Sequence, residues 1–471
     1  MMKNKILVLG FMTLFFASCS GFLEEKSQSE VIPRTATDFK ELLLGSGYPY
    51  DEPANFIYFM DDDVELLLTA TEAIGGSAAN QYFPIYSWQP SLGDMDGLGF
   101  LITENPGNSV YYKYYDRIKG CNAVLDYIDT AMGSQEDRDR VKAEALAVRA
   151  FYYFQLVNIY GEPFNHAPDS PGVPLKLTPE LTEKHLTRNT VREVYTQIVN
   201  DMKTASALLE PLPIIRRSYR LDQPALHILL SRVYLHMNNL EACVGEATKV
   251  IEKGGVLHDM TVSNPYPYSY ESMAEIEWMF GASPQVSQGP YSLSPELLEL
   301  FEQDKDRRYN DGISFPWNYP ATYAIITKYS ASGSFSQNLR TAEAYLNRAE
   351  ANAMLGNISP AMKDLNDLRR HRIEGYVDED ITDKNALVDA IRLERRKEFF
   401  FEGFRWFDLR RYGMPELTHR YIAERGEAIV VYKLKEKDPM YTIPFPVSVL
   451  RRNPALTQNP AATTGERQPS N

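Results

Sequence analysis

Cysteine is almost absent from this chain, with three among 471 residues. Cys121 and Cys243 lie in amphipathic stretches, too few for a disulfide framework, and are expected as two separately buried thiols. Seven histidines are scattered, none at metal-ligand spacing from another His, Cys or acidic pair, so no metal site and no cofactor is expected. Positive charge is in deficit: 49 Lys and Arg face 63 Asp and Glu, a net charge of −14. Such a surface repels nucleic acid and anionic lipid headgroups, which makes both poor partners. Past the N-terminus no run approaches eighteen apolar residues, so no membrane-spanning helix is expected. Phosphate-loop, G-x-S-x-G and H-E-x-x-H patterns are all missing. Asp61-Asp62-Asp63 and Asp304-x-Asp306 lack calcium-loop spacing and read as helix starts or surface clusters.

What is present begins at the N-terminus. Lys3 and Lys5 precede an apolar run from Ile6 to Ala17, and Phe16-Ala17-Ser18 leads to Cys19. This is secretory-leader chemistry, and the cysteine after two small residues resembles a bacterial lipoprotein signal. On that reading residues 1–18 are removed, Cys19 carries the lipid, and 19–34, with Glu24 and Glu25, form a tether. A plain secreted leader with an incidental cysteine is the alternative.

Helical periodicity dominates the remainder. Thr37–Leu44 and Asp63–Thr69 read as short helices, and 75–110 as loop, being rich in Gly and Pro. Val141, Ala145, Val148, Tyr152, Leu156 and Ile159 form a helical stripe stopped by Gly161 and Pro163. Thr190-x-x-Glu193 is a capping box opening the next helix. Two helix pairs follow, near 222–251 and 342–368, separated by a Pro-, Tyr- and Ser-rich interval (256–338). They resemble degenerate tetratricopeptide units, too distant in sequence for a continuous solenoid. The fold class expected is mainly α, one α-rich domain over 35–471 with long irregular loops, in an N-terminal part of about 35–255 and a C-terminal part of about 256–471.

Two constellations could carry chemistry. In the first, Glu394, Glu398 and Glu402 continue the apolar stripe of Leu387 and Ile391. Carboxylates one turn apart could serve as a glycosidase acid and base, Glu394 with Glu398 or Glu402. Arg395, Arg396, Arg405 and Arg410, with Asp408, favour instead a buried structural ion-pair network. In the second, loop aromatics offer ring faces to a sugar: Tyr86 and Trp88, Trp278, and Trp317 with Tyr319. Loop anchoring is the commoner fate of such rings.

Four places in order carry a wider resemblance: Cys19-Ser-Gly-Phe-Leu-Glu-Glu25, the helix from Ala143 to Gly161, the run Glu394-Arg-Arg through Glu402-Gly-x-Arg405 to Asp408-Leu-x-Arg411-x-Gly413, and the ending Ile443-Pro444 with Asn453-Pro-x-Leu-x-Gln458-Asn-Pro460. Together they resemble the SusD/RagB family of outer-membrane nutrient-binding lipoproteins of Bacteroidetes. The resemblance implies a SusD-like fold on tetratricopeptide-like helix pairs, no catalytic activity, and a lipid anchor in the outer membrane facing outward. It also implies an oligosaccharide ligand, or a peptide in some members, and a SusC-like TonB-dependent β-barrel transporter as partner. A lipid-anchored glycoside hydrolase is the rival from another class.

Overall fold

The computed structural model describes residues 33–470, apart from 52–53, 68–75, 97–99, 103–106, 108, 181, 183, 217, 263–273, 282–290, 316–323, 329–336 and 424–426. Its helices are α1 (Ala36–Ser46), α2 (Gly76–Tyr86), α3 (Val110–Tyr127), α4 (Gln135–Tyr160), α5 (Val191–Leu209), α6 (Gln223–His236) and α7 (Leu240–Glu252). The C-terminal half adds the short α8 (Pro295–Leu298) and α9 (Arg307–Gly312), then α10 (Thr341–Leu355), α11 (Ile358–Arg370), α12 (Lys384–Glu398), α13 (Arg405–Arg411) and α14 (Val447–Arg452).

Caps explain several boundaries. Thr190 and Glu193 exchange both capping-box bonds at the start of α5. Ser109 and Ser134 accept from the backbone N–H three residues on, opening α3 and α4. Gly356, at φ +87°, closes α10 in the left-handed region. Gly120 serves packing instead, since a Cβ there would stand 2.3 Å from the Ser46 carbonyl oxygen. Its bare Cα lets α3 lie close against the end of α1.

Helix packing runs in a chain: α3 on α4, α4 on α5, α5 on α6, α6 on α7, α7 on α10, and α10 on α11 and α12. The two expected hairpins, α6/α7 and α10/α11, are thus direct neighbours. The interval between them loops away and returns, so distance in sequence does not separate them in space. Helix α4 is the central member; it buries Val148, Tyr152, Leu156 and Ile159 but also Phe151, Tyr153 and Phe154, so nearly its whole circumference is enclosed. Each such side chain contributes on the order of 1.5–3 kcal/mol.

Strands are short and paired antiparallel in twos: β1 (Val64–Leu66) with β3 (Tyr291–Leu293), β2 (Ile276–Phe280) with β6 (Gln337–Arg340), β4 (Ile313–Ser314) with β5 (Ile325–Ile326), and β7 (Leu417–Tyr421) with β8 (Val430–Leu434). Two expectations are corrected here. The segment after Asp63 is a strand, because Val64, Glu65 and Leu66 find partners in β3, far along the chain. Residues 76–86 are helical despite Pro84. The ring of Tyr82 stacks on Phe59 at 4.2 Å, Tyr86 stacks on His419 at 4.0 Å, and Ile85 is fully buried. This packing outweighs the roughly 3 kcal/mol that proline costs inside a helix. Cys121 and Cys243 are both free and buried.

Candidate functional site

The charged run of α12 and α13 folds inward. Glu394 accepts from Arg369 at 2.7 Å and stands 2.7 Å from Arg308 and 3.2 Å from Lys397. Glu398 meets Arg340 at 2.6 Å, Arg372 at 2.9 Å and Arg308 at 3.1 Å. Glu402 meets Lys328 at 2.7 Å and Arg340 at 2.8 Å. Burial alone would raise these acids, but the Lys397 ammonium with the Arg308 and Arg369 guanidinium groups holds Glu394, and Arg372, Arg340 and Arg308 hold Glu398, well below the usual carboxylate range. Both are therefore ionised and sealed from solvent, with neither the proton of a general acid nor access for a sugar.

The partners differ from those expected within the run. Arg395 does pair with Asp408 at 2.8 Å. Arg405 instead grips Asp62 with bonds of 2.7 and 2.8 Å, and Arg396 donates to Asp63 at 2.7 Å. Arg410 donates to the carbonyls of Tyr441, Asn158 and Gly161. Asp61 and Asp63 are consequently buried, not the helix start or surface cluster expected. The three carboxylates lie within 4.8 Å of one another, but the charge facing Asp62 and Asp63 is that of two arginines. Asp306 caps α9 and pairs with Arg308 at 2.7 Å.

Three of the loop aromatics are enclosed. Tyr86 is fully buried and its hydroxyl accepts from the Leu66 N–H at 3.0 Å. Trp88, at φ +53°, is fully buried; its indole N–H donates to the Met60 carbonyl at 2.9 Å and its ring stacks on His419 at 4.2 Å. Trp278 sits in β2, stacks on Phe280 at 4.4 Å and donates to the Tyr219 carbonyl at 3.0 Å. As placed, none of the three presents a ring face to solvent, so an exposed platform expected from them is not what the structure shows. Their indoles meet backbone carbonyls, which is what a buried Trp needs. Trp317, Tyr319 and Cys19 lie outside the described residues.

Three hollows are open to consideration. A cavity of about 50 Å³ with mixed polar and apolar walls is lined by Tyr58, Arg232, His236, Phe404 and Asp408, among others. It has room for a few waters and none for a sugar ring. A hollow of about 610 Å³ beside Phe39, Leu42, Tyr127 and Met132 has only Arg34, Tyr127 and Thr130 as polar side chains in its wall, few to orient a hydroxylated ligand. The third, of about 350 Å³, falls in the size range of small-ligand sites.

This third groove is built on the first two turns of α3. Tyr114, Arg117, Ile118 and Cys121 point inward, which places Tyr111 and Tyr115 on the flank and Tyr112 outward. The Tyr111 and Tyr115 rings contact each other at 4.6 Å, and Tyr115 donates to the Pro174 carbonyl at 2.6 Å. Burial pushes both phenols well up, so they remain neutral donors. Tyr112 is 46 % exposed and is free to stack. Lys176, Thr178, Glu180, Arg452 and Asn453 supply a polar rim. Asn453 donates through Nδ2 to the Leu186 carbonyl at 2.9 Å, and its Oδ1 has no donor among the described residues. Apolar ring faces with polar edges are what a pyranose requires. The signal for this site is the run Tyr111-Tyr-Lys-Tyr-Tyr115. Reasoning from tryptophans in loops passed over tyrosines at a helix start.

Comparison with known proteins follows the same outline. A family model described as starch-binding, associating with the outer membrane, matches residues 21–235, and a model of the SusD family matches 296–461. A SusD-like protein of Bacteroides ovatus is 24 % identical over 484 aligned residues, covering 87 % of this chain and 82 % of its own length. SusD-like protein P38 of Formosa agariphila is 24 % identical over 339 residues; the match takes in 56 % of this chain and spans 65 % of that protein's length. A SusD superfamily protein of Bacteroides thetaiotaomicron superposes with a TM-score of 0.72 at 23 % identity, covering 90 % of this chain and all of the other. A protein of Bacteroides vulgatus described as sugar-binding gives 0.70 at 23 % identity, over 92 % and 99 %. Two matched models of one lineage on both halves of the chain, and the same fold in solved structures, establish that the chain belongs to the SusD/RagB family.

Proposed function

We infer that this protein is a non-enzymatic, glycan-binding lipoprotein of the outer membrane, held by a lipid on Cys19 and facing outward. It passes oligosaccharides to a SusC-like TonB-dependent transporter. Family membership supports the class and the outer-membrane association. No helix among the described residues is long and apolar enough to cross a membrane, which leaves membrane attachment to a lipid or a partner. The observation that carries the reading to a place on the molecule is the tyrosine-walled groove of about 350 Å³ with its polar rim.

Isothermal titration against a panel of oligosaccharides and short peptides tests it. Tyr112→Ala is expected to weaken glycan binding about tenfold, since losing one aromatic platform costs about 1.4 kcal/mol. Trp317→Ala, run in parallel, tests the loop aromatic that lies outside the described residues. Binding of peptides alone would transfer the reading to the peptide-carrying alternative. Binding of nothing in the panel would overturn it.

A further inference from the structure

We propose that the groove beside α3 takes acidic sugars, oligosaccharides bearing carboxylate or sulfate groups, in preference to neutral ones; this rests on the glycan-binding reading above. The argument is one of charge out of place. Across the chain acids outnumber bases, 63 to 49. Around the groove the ratio reverses, with Lys119, Lys176 and Arg452 facing Glu180 as the single acid.

The three cations are not committed equally. Lys119 pairs with Asp116 at 2.6 Å, so its charge is largely answered. Lys176 directs its ammonium to the Thr178 hydroxyl at 2.7 Å and has no carboxylate within ion-pair distance among the described residues, although the Thr178 hydroxyl and, more weakly, the Lys176 charge hold the Glu180 carboxyl below its ordinary value. Arg452 ends α14, is exposed, and likewise has no ion-pair partner among the described residues. In a protein where nearly every buried guanidinium is gripped by a carboxylate, an unpaired arginine beside an exposed tyrosine is a free fork for a planar anion. Arg452 and Asn453 are consecutive in sequence and both line the groove. Arg452 therefore offers a donor pair to an acidic substituent lying in the groove.

The net charge of −14 does not defeat this. At physiological ionic strength the screening length is about 8 Å, so a bound sugar acid feels the rim far more than the distant surface. Each exposed cation is worth about fivefold in affinity, and two unpaired ones about 25-fold.

The test titrates tetragalacturonate, a chondroitin sulfate tetrasaccharide, maltotetraose and xylotetraose against the folded, lipid-free protein. The two acidic probes separate carboxylate from sulfate recognition. At least one should bind ten- to thirtyfold more tightly than the neutral pair at 50 mM salt, and lose most of that margin at 500 mM. Arg452→Gln with Lys176→Gln should erase the preference, while Tyr112→Ala should weaken acidic and neutral sugars alike. Both cations are at the surface, and circular dichroism of the variants controls for folding. Neutral sugars bound as tightly as acidic ones, or an acidic preference untouched by the double substitution, would overturn this inference and leave glycan binding standing. No glycan bound at all would overturn both.

Discussion

His419 shows what burial does to a single titratable side chain. Its ring lies between Tyr86 and Trp88, with Nδ1 2.7 Å from the Tyr86 carbonyl and Nε2 2.9 Å from that of Asp61. While neutral it can donate to only one of these, yet burial outweighs both carbonyls and pushes its pKa down to about 4. His236, also buried, is held well below its ordinary value by the same cause, reinforced by neighbouring arginines. Both side chains are thus neutral when folded and take up a proton near pH 6.5 when unfolded. The stability they carry is complete above pH 6.5 and is lost as pH falls below it, for His419 down to about 4. At pH 5 the loss is about 2 kcal/mol for His419. Urea denaturation at pH 7 and pH 5 should show it, and His419→Gln should reduce the difference. An acid loss that the substitution leaves intact would count against this assignment.

Among the elements, α12 is the one whose chemistry was most ambiguous in the sequence. Its glutamates were legible as an acidic stripe, and their enclosure followed from the apolar positions they continue. Their partners were not legible, because Arg308, Arg340, Arg369 and Arg372 come from other elements that only tertiary folding brings near. The same reason hid β1, whose pairing with β3 spans more than two hundred residues. Helices α4 and α5 were legible because period, caps and stop residues are all local. The groove was half legible: the tyrosine run was visible, but Lys176 and Arg452 join it only in three dimensions. Glu398→Gln is expected to destabilise the fold by about 3–5 kcal/mol, since it leaves three buried guanidinium groups short of an anion. Guanidinium denaturation reads that cost. If folded variant protein is recovered, its glycan affinity should match the parent's, because α12 does not line the groove. Polysaccharide turnover by the parent that Glu398→Gln abolishes would instead revive the hydrolase reading.

For the whole molecule, the decisive question is what holds it at a membrane. After loss of residues 1–18 the chain would carry −16, because Lys3 and Lys5 leave with the leader. That charge repels anionic headgroups on average, which disfavours attachment by the protein surface itself. Thirteen residues separate Cys19 from Pro33, where the described residues begin. Fully extended, a stretch of that length reaches at most about 50 Å, enough to clear the headgroups. A single acyl chain binds only marginally, and the two or three of a lipidated N-terminal cysteine hold firmly. Cys19→Ala should therefore move the protein from the membrane pellet to the soluble fraction almost completely, with glycan affinity unchanged, since Cys19 is not among the residues that line the groove. In mild detergent the parent should bring down a large β-barrel, and Cys19→Ala expressed beside it should do so in lower yield, by loss of local concentration alone. A variant that stays in the pellet when no barrel is present would need a second hold on the bilayer. No helix among the described residues is long and apolar enough to supply one, so that result would count against Cys19 as the anchor.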